Sequence, residues 1–407
     1  SLGGTVTAEN CEFTIPGNGN YGIYSQITVT GDDQDDQYDT TATNCTFTLT
    51  GNSNHGIYAA GGKTLASGGT ITMIGSGSDR DDNFGIHSTN GITRATGCTI
   101  TMTGEYVVGV YTTGGRALIE GGSIKVDFAK DKNNKLLTST AVSTEGGEIY
   151  LAGELAIESA SLGVTVRGNT NMSGSLEIAS DTIATGDGTT YPDITPGNVA
   201  IKTPNATGIY VNNGNLTNKG TVTVTSSVGT TDGADNGWKW VNAEGKPLDS
   251  FNKYNGVYVQ GGSLDSKGTL NVTFTGVQND AYGSGANSNL NANTAYRDFQ
   301  IKSYAVRVEG TDETTVMITS GKITNDVGGG VLVNGGTVTL GKKETTNDDT
   351  TYSGLTVQTT GTVSYSTSMD PDGGNWNYFL PQTGGPAVKV AQSGSVSSTL
   401  TVYGGTY

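Results

Sequence analysis

The residues of this sequence whose types could carry chemistry are few: His55 and His87, the cysteines Cys11, Cys45 and Cys98, and two acidic runs. Neither histidine belongs to an HExxH pattern or another metal-binding spacing, and no GxSxG turn or phosphate-binding loop is present. The cysteines form no CxxC pair and no disulfide framework, which leaves them as small, buried, inward-facing residues with free thiols. The acidic runs are Asp32, Asp33, Asp35, Asp36 and Asp39, then Asp79, Asp81 and Asp82 around Arg80. Calcium takes several oxygen ligands from a flexible loop, and such runs could supply them. They lack the glycine and glutamate positions of an EF-hand loop and the Gly-Gly-x-Gly-x-Asp calcium repeat, so a solvated acidic corner is favoured over a specific metal site. The expectation is no catalytic residue, no metal and no cofactor.

Stacking and burial are better represented. All three tryptophans, Trp238, Trp240 and Trp376, fall in long stretches shared with Phe251, Tyr254, Tyr296, Phe299, Tyr378 and Phe379. Aromatic side chains offer large, stiff contact area and dominate binding hot spots, so these are the candidate ligand-binding residues. The alternative is a small satellite core that pins long loops to the body of the protein, and both readings stand at this level.

The elements that must position these residues come from a repeat. The chain has 407 residues, with 63 Gly, 8 Pro, 33% hydrophobic and 15% charged residues. That balance is too polar for a thick core and too uncharged for disorder, and it suits many short strands with one wet face. A phrase of small, β-branched and variable residues recurs as Gly22-Ile23-Tyr24, Gly56-Ile57-Tyr58, Gly85-Ile86-His87, Gly109-Val110-Tyr111, Ala141-Val142-Ser143 and Gly163-Val164-Thr165. It continues as Gly208-Ile209-Tyr210, Gly256-Val257-Tyr258, Ala305-Val306-Arg307, Gly330-Val331-Leu332 and Ala387-Val388-Lys389. A second phrase keeps a fixed phase to it, from Cys11 to Ile15, Cys45 to Leu49, Gly69 to Met73, Cys98 to Met102 and Gly122 to Val126. Cysteine takes the slot that other repeats give to glycine.

The tightest unit, Ile86 to Val110, holds three alternating runs and three glycine-bearing corners in about two dozen residues, which is one coil of a β-helix. Coils stacked about 4.8 Å apart hydrogen-bond to one another and align their inward Ile, Val, Leu and Phe side chains. The expected fold is all-β: a right-handed parallel β-helix of about twelve three-stranded coils. Residues 1–407 read as a single domain and as a segment of a longer chain. Longer anchor spacings mark inserted loops at 181–207, 226–255, 277–304 and 365–386, each just before an anchor strand and so expected at one corner of the rod.

With 38 acidic residues against 22 Lys and Arg, a formal charge of −16, no basic face is available for phosphates. Nucleic acid and anionic membrane surfaces are therefore poor partners, and no stretch approaches the roughly 20 apolar residues of a membrane helix.

In phrases such as Gly256 to Leu264 (GVYVQGGSL) and Gly208 to Leu216 (GIYVNNGNL), the sequence resembles the β-helical passenger regions of bacterial autotransporters and related secreted adhesins. The resemblance spans nearly the whole chain, without the family's C-terminal membrane barrel. It implies an extracellular, cell-surface, non-catalytic rod whose inserted loops meet a host-cell or matrix glycan or protein. A second reading is a filament subunit that self-associates end to end. The pattern runs from Gly3-Gly4-Thr5-Val6-Thr7 to Gly404-Gly405-Thr406-Tyr407 without a polar cap, and open strand edges favour association. A polysaccharide lyase or hydrolase is the least favoured, because such sites need paired carboxylates, or a base beside metal-binding Asp residues, on one strand face. The outward anchor positions are instead Tyr24, Tyr58, His87, Tyr111, Ser143, Thr165, Tyr210 and Tyr258. This column reads as exposed cross-strand packing, with a sugar-stacking platform as the alternative.

Overall fold

The computed structural model describes residues 5–26, 39–75, 83–104, 106–127, 139–160, 162–168, 172–185, 190–204, 207–228, 255–276, 304–326, 328–346, 349–359, 386–391 and 396–407. Their strands stack in parallel ladders that make two long sheets, one of nineteen strands and one of eleven. The first ladder begins with Val6–Glu9 and Thr40–Thr43, the second with Glu12–Pro16 and Thr46–Thr50, and the third with Tyr21–Ser25 and His55–Ala59. The first two ladders share a sheet because in some coils one strand turns the corner unbroken, as Ile92–Thr103 does at Gly97, whose φ of 62° suits glycine.

The third ladder contains the repeated phrase as a physical object. Ile23, Ile57, Ile86, Val110, Val142, Val164, Ile209, Val257, Val306, Val331 and Val388 pair each with the next, with no slip of register. The protein is an all-β parallel β-helix, as the repeat predicts.

The cross-section explains why a small residue precedes each anchor. A Cβ on Gly109 would lie 2.5 Å from the carbonyl oxygen of Ala141 and 2.6 Å from Cγ2 of Ile124. One on Gly256 would lie 2.2 Å from Cγ1 of Val272. Ile124 and Val272 belong to the second ladder, so the third ladder backs directly onto it across a thin core. That core is continuous from Ala42 to Val357, built from the inward residues of all three ladders.

Polar groups inside the rod pair with one another, across a corner of one coil for Ser88 and Thr93 and between stacked coils for Thr203 and Ser226. The hydroxyls of Ser88 and Thr93 are 3.0 Å apart, and those of Thr203 and Ser226 are 2.7 Å apart. At the corner before the third ladder, the Asn20 amide donates to Oδ1 of Asn54 and the Asn54 amide to Oδ1 of Asn83, both at 2.8 Å. Each side chain thereby satisfies a corner N–H that no strand partner reaches.

Cys45 and Cys98 are buried, Cys11 is half-buried, and all three thiols are free. The expectation of three buried cysteines is thus corrected for Cys11, which lies in the lowest described coil with no described strand beneath it. Burial pushes the Cys98 thiol up to about 11, which suppresses its reactive thiolate. Alkylation of the native protein should label Cys11 first, with Cys45 and Cys98 modified only after denaturation. Mass spectrometry that found a Cys11–Cys45 bridge, or equal native rates, would refute this.

Two insertions open between the first and second ladders. One, in 179–197, contains the antiparallel pair Ile183–Ala184 and Thr190–Tyr191; the other pairs Lys342–Thr346 with Asp349–Ser353. This corrects the reading of 181–207 as a single loop before an anchor. Its last part, Asn198–Pro204, is a second-ladder strand paired with Glu154–Glu158 on one side and Thr221–Ser227 on the other. The insertion therefore leaves one corner earlier than the repeat suggests. It is held by a satellite core in which Ile183, Ile194 and Tyr191 cover Leu118 and Tyr150, two outward residues of the first ladder.

Candidate functional site: an insertion corner and the adjoining outer face

Three long insertions do share a corner. Residues 229–254, 277–303 and 360–385 follow the second-ladder strands Thr221–Val228, Ser263–Gly276 and Leu355–Thr359. They precede the third-ladder strands Val257–Val259, Tyr304–Val308 and Val388–Ala391. These root strands are stacked, with one coil of short corner between the second and third insertions, where Thr315–Asn325 leads to Gly329–Asn334. Three rises of about 4.8 Å put the roots within roughly 14 Å along the rod. Trp238, Trp240, Phe251, Tyr254, Tyr296, Phe299, Trp376, Tyr378 and Phe379 all belong to these segments and lie outside the described residues.

The outer face of the third ladder adjoins this corner. Its outward column runs in register through Tyr24, Tyr58, His87, Tyr111, Ser143, Thr165, Tyr210, Tyr258, Arg307, Leu332 and Lys389. In the lower coils a second column, Tyr21, His55 and Phe84, stands beside it. Rings of adjacent coils stack: Tyr21 on His55 with centroids 5.0 Å apart, His55 on His87 at 5.2 Å and 9°, Phe84 on Tyr111 at 5.0 Å and 11°. The coil repeat is close to a ring-stacking distance, so each ring covers its neighbours' faces and leaves mainly edges for solvent. A sugar platform needs open faces, so this geometry favours packing.

Three tyrosine hydroxyls of the column reach the coil above, whereas Tyr24 OH donates to Oε1 of Gln26 in its own coil, at 2.6 Å. Tyr111 OH donates to Oε2 of Glu145 at 2.9 Å, Tyr210 OH to Oε1 of Gln260 at 2.6 Å, and Tyr258 OH to Oε2 of Glu309 at 3.0 Å. Each of these three acceptors lies on the next coil, two residues beyond the column. Higher up, the face is not exposed as the alternation suggests: Tyr258 is 8% and Arg307 7% exposed. Tyr258 stacks on Tyr210 at 5.3 Å, and the Arg307 guanidinium lies 5.9 Å from its ring centre. Burial alone would raise the Glu309 pKa; hydrogen bonds and charge from Arg307, with Tyr258 and Asn334, outweigh it and hold the carboxyl below its ordinary value. Arg307 occupies the repeat's variable position and Glu309, two residues on, falls on the same side of the chain, whereas the bond from Tyr258 to Glu309 depends on which coil stacks on which.

His55 and His87 sit in the middle of the lower stack with Nδ1 atoms 3.3 Å apart. Desolvation lowers the pKa of His55 to about 4 and of His87 to about 3, the latter helped by His55. Nε2 of His87 is buried without a hydrogen-bond partner, as an aromatic packing role allows for a neutral ring. The two are packing residues of the ladder: His87 at the column position read from sequence, and His55 in the neighbouring column that the sequence reading did not assign.

The carboxylates of this face are engaged rather than poised. Glu145 accepts from Tyr111 and pairs with Arg167 at 2.9 Å, and Glu309 is held as above. Of the acidic runs only Asp39 is described, and its Oδ2 accepts the Lys63 backbone N–H at 2.8 Å. Among the described residues, no group of three or more His, Cys, Asp or Glu could hold a metal, and no helix is long and apolar enough to cross a membrane. No protein-family model, no curated protein and no solved structure matches this chain.

Proposed function

We propose that the chain is a non-catalytic binding rod of the adhesin type, displayed outside the cell, which meets a host-cell or matrix glycan or protein through the insertions at one corner. The observation that supports this reading is the convergence of three long insertions, bearing all three tryptophans, on roots that the ladders stack within a few coils. A β-helix needs none of these residues to close its coils. Loops on a stiff scaffold are the usual place for binding residues, and insertions in a solenoid gather on its binding side.

The test is the double substitution Trp238→Ala, Trp240→Ala, with adherence to host cells and glycan arrays read beside the melting profile. Truncating a true anchor costs about 2 kcal/mol, roughly thirty-fold in affinity. Lost adherence with an unchanged melt is the expected result. A lowered melt with full adherence would instead make these residues packing, as in the satellite core over Leu118 and Tyr150.

A further inference from the structure

The outer face of the second ladder carries a regular field of threonine hydroxyls. Thr46, Thr70 and Thr99 are register partners, as are Thr48, Thr72 and Thr101, while Thr50 continues through Ile74 to Thr103. Along each strand these alternate with Phe47, Leu49, Ile71, Met73, Ile100 and Met102, all buried in the core, so the threonines share one face. Thr14 extends the middle column one coil down, and Ser123 extends the first column one coil up. The positions repeat at about 4.8 Å between coils and about 6.6 Å along a strand.

Three properties set this field apart from an ordinary wet face. It contains no charge, although the chain carries −16; charged side chains appear only at its borders, at Glu12 below and at Lys125 and Asp127 above. Its hydroxyls are unused: among the described residues, Thr46, Thr48, Thr50, Thr70, Thr72, Thr101 and Thr103 make no side-chain hydrogen bond, and only Ser123 reaches Thr99, at 3.5 Å. It is also stiff. Threonine has few χ1 choices, and each rung is anchored by large core residues on its other side, so hydroxyl and methyl groups recur at set positions.

We propose that this face binds a crystalline water surface, that of ice. Its two repeats approach those of the prism face of hexagonal ice, so the hydroxyls and methyls can hold waters at lattice positions across several coils together. Charged side chains orient water in ways such a lattice does not accept, and the field excludes them. Preset positions keep the ordering cost of each weak contact low, which lets many of them add. The inference uses none of the insertions and stands apart from the adhesin reading.

The experiment measures thermal hysteresis, ice-crystal shape and ice recrystallisation with the whole chain, with Thr72→Lys at the centre of the field and with Thr217→Lys on the first ladder. The expected result is faceted crystals and a freezing point held below the melting point for the unaltered chain and for Thr217→Lys. Thr72→Lys should lose most of that gap, several-fold at equal concentration, with an unchanged melting profile. If Thr72→Lys lowers the melt, Thr72→Val and Thr101→Val, which keep the shape and remove hydroxyls, replace it and are expected to weaken the effect. An unaltered chain with no effect on ice, or variants that keep full activity, would overturn the proposal. So would binding to crystalline cellulose or chitin in the absence of any effect on ice.

Discussion

Val257→Asp is expected to open the rod around its own coil, with a loss of several kcal/mol. Val257 is fully buried and stacks between Ile209 below and Val306 above. A carboxylate there has no partner in the apolar core, and an unpaired buried charge is among the most costly single changes. Solenoid stability is a sum over neighbouring coils, so amide exchange should rise first in Ile209–Asn212 and Tyr304–Val308, before distant coils respond.

The adjacent change, Tyr258→Ser, is expected to cost less but not to be silent. Strand alternation alone makes Tyr258 a solvent-facing residue that could be replaced freely. In the structure it is buried, stacked on Tyr210, bonded to Glu309 and covered by Arg307. Its loss removes one partner from a charged network, a cost of about 1–3 kcal/mol. Melts that showed both variants equal to the unaltered protein would refute the inward and outward assignment of this ladder.

Acidification should weaken the lower coils through His55 and His87. Both imidazoles are neutral in the fold, with pKa lowered to about 4 and about 3, against about 6.5 in the unfolded chain. Between those values the unfolded chain binds more protons than the folded one. The stability from neutral rings is therefore complete above about pH 6.5 and falls as pH drops towards 3 to 4, by up to about 1.4 kcal/mol per pH unit for each ring. Protonating both would set like charges on rings whose Nδ1 atoms are 3.3 Å apart, between Tyr21, Tyr58, Phe84 and Tyr111. Carboxylates titrate in the same range, so the informative quantity is the difference from a His55→Phe, His87→Tyr protein, which keeps the stack without the titration. Exchange of the amides in His55–Ala59 and Asn83–Ser88 should show the double variant less acid-sensitive. Identical pH profiles would mean the imidazoles are not held neutral.

The repeat was legible because it reports the most local constraint in the fold. A β-branched anchor and a preceding Gly or Ala recur wherever the third ladder meets the second across a thin core, and a Cβ at Gly109 or Gly256 would strike what lies opposite. All eleven anchors could therefore be placed from residue types alone, and their register followed. The strand Asn198–Pro204 escaped because Pro196-Gly197 and Pro204 bracket it as they would a loop, and its membership of the second ladder rests on pairing with Glu154–Glu158 and Thr221–Ser227.

The sequence by itself determined the fold class, the anchor column, the absence of a metal-binding or nucleophile motif, and which stretches hold the tryptophans. Period-two alternation and glycine corners are properties of consecutive residues, so they can be read along the chain. Tertiary structure decided what consecutive residues do not carry. It stacked His55 on His87, buried Tyr258 beneath Arg307, sent the 179–197 insertion to a different corner, and laid threonines from separate coils into one field. Each depends on which coil lies next to which and on how many inserted residues separate them, quantities set only when the ladders pair.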